Sequence, residues 1–193
     1  MSFTPKILAF AGSAREGSYN KMLVKIAAEG ARKAGADVTY VDFHDLPMPL
    51  YDQDGETAEG VPDNARKFKA MMKASDGFLI SSPENNSSIS ALMKNVIDWA
   101  SRMEEGEKNL ECYVDKVAVI MAASPGGLGG LRGLYHLRGI LESIQTLVLP
   151  QQTTVRAAHK AFNDDGSIID EKKRAEVEAL GATLANTIAK LKS

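Results

Sequence analysis

Short, wholly apolar runs alternate along the chain with stretches whose apolar residues return every three or four positions. Lys6 to Gly12 is such a run, ending in glycine, and it predicts a strand buried on both faces, as in a parallel sheet. From Asn20 to about Ala34 the positions Met22, Leu23, Ile26, Ala27, Ala31 and Ala34 keep helical spacing, and Gly35 supplies the stop. Asp37 to Asp42 predicts a second strand, Asp76 to Ser82 a third, Asp115 to Met121 a fourth and Thr146 to Leu149 a fifth. A helix capped by Asp63 or Asn64 runs to about Ala74. The next follows the stripe Ile89, Leu92, Met93, Val96, Ile97 and Ala100, and another runs through Leu134, Leu137, Ile140, Leu141 and Ile144. The last helix shows Val177, Leu180, Leu184, Ile188 and Leu191 on one face.

Five strands alternating with five helices predict an α/β fold, a parallel sheet with helices on both faces. No repeat or composition break divides the chain, so residues 1–193 are expected to form one domain. Two segments read as loops. One runs from about His44 to Pro62 and is long enough to be functional. The other, Ala157 to Ile169, is polar, turns at Asn163 to Gly166, and reads as surface.

Composition then narrows the class. Lys and Arg number 23 against 25 Asp and Glu, a formal charge of −2. That balance lacks the basic excess of a dedicated nucleic-acid binder or of a protein held to an anionic membrane by charge. One cysteine, Cys112, excludes an intrachain disulfide and any multi-cysteine metal site. His44, His136 and His159 form no metal-spaced pair and read as solvated or structural. No apolar run reaches the ~18 residues of a membrane span, and no signal-peptide pattern opens the chain, so a soluble cytoplasmic protein is expected.

In open parallel sheets ligands bind beyond the carboxyl ends of the strands. Three loops here leave strand ends and are rich in small or polar residues. Gly12 to Asn20 (Gly-Ser-Ala-Arg-Glu-Gly-Ser-Tyr-Asn) enters a helix, where free amides and the helix dipole favour an anion and Arg15 adds a cation suited to phosphate. An ordinary strand–helix turn capped by Ser18 or Asn20 would look the same locally. The loop is neither a Gly-x-x-x-x-Gly-Lys-Ser/Thr nor a Gly-x-Gly-x-x-Gly pattern, and it lacks a phosphatase cysteine. Pro83 to Ser88 (Pro-Glu-Asn-Asn-Ser-Ser) would present backbone groups to a flat heteroaromatic ligand, or serve as a capped turn. Ser124 to Gly130 holds four glycines, which permit close backbone approach to a ligand or form a flexible connection.

Together these residues resemble the NADPH-dependent FMN reductases of flavodoxin-like fold, the group that includes bacterial quinone and chromate reductases. Gly12-Ser-x-Arg-x-x-Ser-x-Asn20 resembles the family's FMN phosphate loop. Pro83-Glu-Asn-Asn86 with Lys94-Asn-x-Ile-Asp-Trp99 resembles its second motif. Ser124-Pro-Gly-Gly with Gly129-Gly-x-Arg132 and Leu137-Arg138 resembles its third. The resemblance implies a flavodoxin-like three-layer sandwich with strand order 2-1-3-4-5, FMN at the strand ends, and a homodimer or homotetramer. It implies that Ser13, Arg15, Ser18 and Asn20 hold the FMN phosphate, and that Pro83, Glu84, Asn85 and Asn86 line the isoalloxazine, mainly through backbone. Ser124 and Gly127 would approach its other edge or the ribityl chain. The chain departs from the family at three places, with Asn85 where tyrosine is common, Ser87 for glycine, and Ser90-Ala91 for Pro-Gly.

The implied activity passes a hydride from NADPH or NADH to flavin N5 and on to a small-molecule acceptor such as a quinone, azo compound, metal oxyanion or free flavin. The flavin supplies the chemistry, so no catalytic acid or base is assigned. A flavodoxin-like electron carrier would share the sheet and phosphate loop, although carriers are typically more acidic. An FMN-free interaction module is the third reading. Elsewhere Glu104 to Glu107 reads as a solvated acidic loop, Lys94 as a surface charge, Trp99 as core or interface, and Cys112 as inert. Tyr51 is a candidate to reach a neighbouring subunit's flavin.

Overall fold

The computed structural model describes residues 3–192. Its frame is a parallel sheet of β1 (Lys6–Ala11), β2 (Asp37–Val41), β3 (Gly77–Ser81), β6 (Val117–Ala123) and β7 (Leu147–Val155), in the order β2-β1-β3-β6-β7. This is the expected 2-1-3-4-5 order of the main strands. Alternate residues feed two cores. Ile7, Ala9 and Ala11 of β1 face one core, Leu8 and Phe10 the other. The first core is covered by α1 (Tyr19–Lys33) and α7 (Glu171–Leu191). The second is covered by α3 (Asp63–Lys73), α4 (Ala91–Ala100) and α5 (Leu131–Ser143). Strands buried on both faces explain why their sequences are continuous apolar runs.

Helices α1 and α7 lie backbone to backbone. A Cβ on Gly30 would sit 1.9 Å from the Glu178 carbonyl oxygen, and one on Gly181 1.8 Å from that of Ala27. The two glycines interlock, and no side chain fits at either position. Gly35, in left-handed conformation (φ 89°), follows the end of α1 as the sequence predicts.

Several expectations are corrected. The fifth main strand does not end at Leu149 but continues to Val155. Its pairing with β6 shifts register between Ala118 and Ile120, so Pro150, which has no N–H, is absorbed at an irregularity of an edge strand. The segment from His44 to Pro62 contains α2 (Gln53–Glu59), capped by Asp52 Oδ2 accepting from Gly55 N at 3.1 Å. It buries no residue, which is why it leaves no apolar stripe in the sequence. Pro62, not Asp63 or Asn64, occupies the cap position of α3, and the Asn64 amide instead donates to the Pro47 carbonyl.

Ala157 to Ile169 is not simply surface. It forms α6 (Ala158–Ala161) and a bridge between Phe162 and Ile168, and it buries Ala158, Phe162 and Ile168. Leu191 is exposed. Ile188 already lies over Gly77 at the start of β3, so the last turn of α7 overhangs the sheet. No helix among the described residues is long and apolar enough to cross a membrane.

Candidate cofactor site

The three loops converge at the carboxyl ends of β1, β3 and β6. The first is held tightly at its root, where Gly12 N donates to Ser81 O (2.9 Å) and Ser90 Oγ donates to Gly12 O (2.6 Å). Ser18 then takes the cap position of α1. It is buried and extended (φ −76°, ψ 120°), and its hydroxyl makes no capping bond. The first-turn amides of α1 are thus left without a side-chain acceptor, and the helix dipole adds partial positive charge there. Arg15 is exposed, with its guanidinium 5.6 Å from the Tyr19 ring centroid, and among the described residues it has no acidic partner. Ser13 Oγ accepts from Arg15 N at 3.3 Å.

Asn20 behaves differently from its neighbours. Its Oδ1 accepts from Ala123 N (2.9 Å) and Ser81 Oγ (2.8 Å), and its Nδ2 donates to Ala123 O (2.9 Å). The side chain therefore ties the start of α1 to the ends of β3 and β6. Its place in the motif is one of setting the cradle's shape.

The second loop is a hairpin of β4 (Glu84–Asn85) and β5 (Ser88–Ile89). The sequence treated this stretch as a loop because two-residue strands carry no periodicity. Asn86 and Ser87 form the turn with φ 51° and 66°, left-handed at both central positions. Asparagine tolerates that region, whereas serine is strained there. Asn85 and Asn86 are exposed. The Glu84 side chain is only 7% exposed and turns away from the hairpin. It accepts from Arg132 N (3.0 Å), Arg132 Nε (2.8 Å) and Gly133 N (3.3 Å) at the start of α5. Burial alone would raise its pKa, but the hydrogen bonds from Arg132 and Gly133 prevail and hold it below the usual carboxylate range. Glu84 thus locks the second loop to the third.

The third loop is tied down rather than flexible. Ser124 N donates to Val155 O (3.1 Å), and Ala157 N donates to Gly126 O (3.3 Å). Gly130 precedes α5 with φ 94°, and a Cβ there would meet Ala122 Cβ at 2.6 Å. That glycine is required by the fold. Gly127 has open space around it.

A cavity of about 410 Å³ joins these loops, lined by Ser13, Arg15, Ser18, Asn20, Pro83, Glu84, Asn85 and Ser124, together with Tyr19, Ala123 and Pro125. Eight of the ten residues singled out from the sequence meet here. Asn86 projects at the hairpin tip, and Gly127 opens instead onto a separate groove.

The Lys94 to Trp99 motif lies behind the hairpin. Asn95 Nδ2 and Trp99 Nε1 both donate to Pro49 O (2.9 and 2.8 Å), and Tyr51 N donates to Asn95 Oδ1 (2.7 Å). The motif therefore docks the long segment before α2, and Tyr51 packs edge-on against Trp99. Lys94 pairs with Asp98 on the same helix. Glu104 and Glu107 are not a solvated acidic loop. They clasp Lys69, whose side chain is 2% exposed, at 2.9 and 2.6 Å. Their spacing gives no hint of this, because the lysine lies on a distant helix. Burial pushes the Cys112 thiol up to about 11.

Comparison with known proteins agrees with this geometry. Residues 5–160 match the family described as NADPH-dependent FMN reductase. The chain is 36% identical to a probable NADPH:quinone oxidoreductase of Oryza sativa subsp. japonica, over 92% of this chain and 87% of that protein. It is 34% identical to an NAD(P)H-dependent FMN reductase of Pseudomonas aeruginosa, over 90% of each. Among solved structures, a flavoenzyme NAD(P)H:(acceptor) oxidoreductase of Paracoccus denitrificans superposes with a TM-score of 0.78 at 25% identity, covering 97% of this chain and 98% of that one.

Proposed function

This chain belongs to the NADPH-dependent FMN reductase family, and from that premise we propose that its strand-end cavity holds FMN and serves an NAD(P)H-driven oxidoreductase acting on a small-molecule acceptor. The single observation that carries the assignment of the cavity is the uncommitted donor set at its phosphate end. A buried serine hydroxyl without a capping bond, the first-turn amides of α1 and an arginine without an acid face one space. A phosphate satisfies all three at once.

When bound, FMN supplies the two-electron hydride chemistry that no side chain in the cavity can provide. The chain's own residues bind and orient. Ser13, Arg15 and Ser18 hold the phosphate, and Asn20 keeps α1 in register with β3 and β6 so that the donors are in place beforehand. Pro83, Glu84 and Asn85 flank the ring through backbone, with Asn86 at their exposed edge. The ion pair of Glu84 with Arg132 holds that hairpin against α5. Because Glu84 stays ionised, it holds no proton for transfer. Ser124 would bound the other side, while Gly127 faces the neighbouring groove. Asn85 is exposed and puts no aromatic wall on the acceptor side, which suits acceptors of varied size, among them quinones, azo compounds, metal oxyanions and free flavin.

We read residues 1–193 as one FMN-binding domain that acts in the cytoplasm as a homodimer or homotetramer. The lone buried thiol and the exposed apolar Leu50, Met103 and Tyr135 support that reading.

An absorbance scan of purified protein with added FMN, followed by anaerobic NADPH and then NADH, tests the function. Bound flavin bands that bleach with either nucleotide are the expected result. Flavin that binds and does not bleach would leave an electron carrier, and no bound flavin would overturn the assignment of all three loops.

A further inference from the structure

The glycine loop has two sides. Ala123, Ser124 and Pro125 line the FMN cavity, whereas Gly127 and Leu128 line a second groove of about 510 Å³ toward β7 and α6. The groove's apolar wall is formed by Leu128, Val155 and Ile169, with Leu128 49% and Ile169 57% exposed. Its rim carries three cations. Lys173 is neutralised by Glu176 at 3.0 Å, while Arg156 and Lys160 have no acidic partner among the described residues. The one acid in the lining, Asp170, is engaged as the cap of α7, accepting from Lys173 N at 3.0 Å.

Arg156 is also coupled mechanically to the flavin-facing loop. Its Cγ lies 3.1 Å from where a Cβ on Gly129 would be. The two residues after it donate their amides to Gly126 O and Ser124 O. Ala157 is held left-handed (φ 46°) to make that connection, a strained conformation for alanine. The fold thus fixes an uncompensated pair of cations and an apolar wall one loop away from the cofactor cavity.

We propose that this groove binds the adenosine end of NADPH, with Arg156 and Lys160 on its 2′-phosphate and Leu128 and Ile169 against the adenine. The inference rests on the oxidoreductase function argued above and assigns the groove as its nucleotide-selecting subsite. A 2′-phosphate carries the charge that two unpaired cations compensate, and NADH lacks it.

The test uses the full chain with FMN and two probes, 2′,5′-ADP and 5′-ADP, in calorimetric titrations. It compares the R156A/K160A variant with wild type and with K108A, which removes a remote exposed cation. In wild type 2′,5′-ADP should bind more tightly than 5′-ADP. The double variant should weaken 2′,5′-ADP about ten-fold or more, and its kcat/KM ratio of NADPH to NADH should fall by a similar factor, with FMN affinity and the K108A values holding. Equal binding of the two probes by wild type, or an unmoved ratio in the double variant, would overturn the subsite while flavin bleaching by NAD(P)H still stood. Flavin that neither nucleotide bleaches would instead bring down the enzyme function, and this inference with it.

Discussion

The loop before α1 and the loop over α3 both gather charged and polar side chains, and they use them in opposite ways. Over α3, Lys69 is clasped by Glu104 and Glu107, Lys73 reaches Glu107 at 2.6 Å and Arg66 reaches Glu104 at 2.7 Å. Each of these five charges is answered from within the chain. Before α1, Arg15 has no acid among the described residues and Ser18 caps nothing. The first arrangement stabilises a fold, and the second leaves donors for something the chain does not contain. A ligand site is recognised here by what remains unsatisfied, not by how much charge a segment carries.

The largest way to break this contrast is to open the satisfied cluster. Glu107→Ala removes one partner of a nearly buried lysine and should lower the unfolding free energy by about 3 kcal/mol, read by urea denaturation, while folded protein keeps its FMN affinity. A large loss of FMN affinity in that variant would show that the two regions are not separate. The same cluster should dominate the acid limb of stability. Burial favours the protonated form of Glu107, but the hydrogen bonds from Lys69 and Lys73 prevail and bring its pKa down to about 2. A depressed carboxylate contributes stability above its unfolded value, and that contribution disappears as pH falls through the folded one. Stability should therefore drop between roughly pH 4.5 and 2 by about 3 kcal/mol, the same contribution that E107A removes. The E107A variant should show a visibly flatter limb in a pH series of melts.

The open cluster should respond in the complementary way. Arg15→Ala should weaken FMN by about 30-fold, the value of a charge-assisted hydrogen bond of about 2 kcal/mol, with the apoprotein melting temperature unmoved. Ser18→Ala should have a smaller effect in the same direction. Fluorescence titration reads both, and unchanged affinity in R15A would remove its phosphate role. The smallest change sharpens the contrast within the site itself. Ser87→Gly relieves a left-handed serine at the hairpin turn (φ 66°) and should raise stability by about 1 kcal/mol. A denaturant midpoint that falls instead would show that the Ser87 side chain contributes more than its strain costs.

Legibility followed the range of the interactions concerned. The strands Lys6–Ala11 and Val117–Ala123 are apolar at every buried position, so their type could be read directly, while their order in the sheet came only with the family resemblance. The hairpin Glu84–Ile89 could not be, because two-residue strands are shorter than any period and are held by Glu84 reaching α5, 48 residues away. Helix α2 was hidden for a related reason, since it buries nothing and is defined by its cap and by Glu56 bonded to Arg102. Phe162 and Ile168 lie in a polar segment of the sequence, and their burial depends on α1, where Tyr19 stacks on Phe162. In the site, the residue types at 13, 15, 18 and 20 were visible as a motif. The sequence did not distinguish Asn20, bonded to Ala123 and Ser81, from Arg15, which is bonded to neither.

Local chemistry alone determined the alternation of strand and helix, the placement of small and polar residues at strand ends, and the resemblance of three loops to one family. Those properties depend on residues within a few positions of one another. Tertiary structure decided which of the polar groups are consumed by the fold and which are left over. Whether a serine caps a helix, a lysine meets two glutamates or an arginine meets none depends on residues tens of positions away. In a packed interior a polar group finds its partner by position in space, and sequence spacing carries no record of that distance.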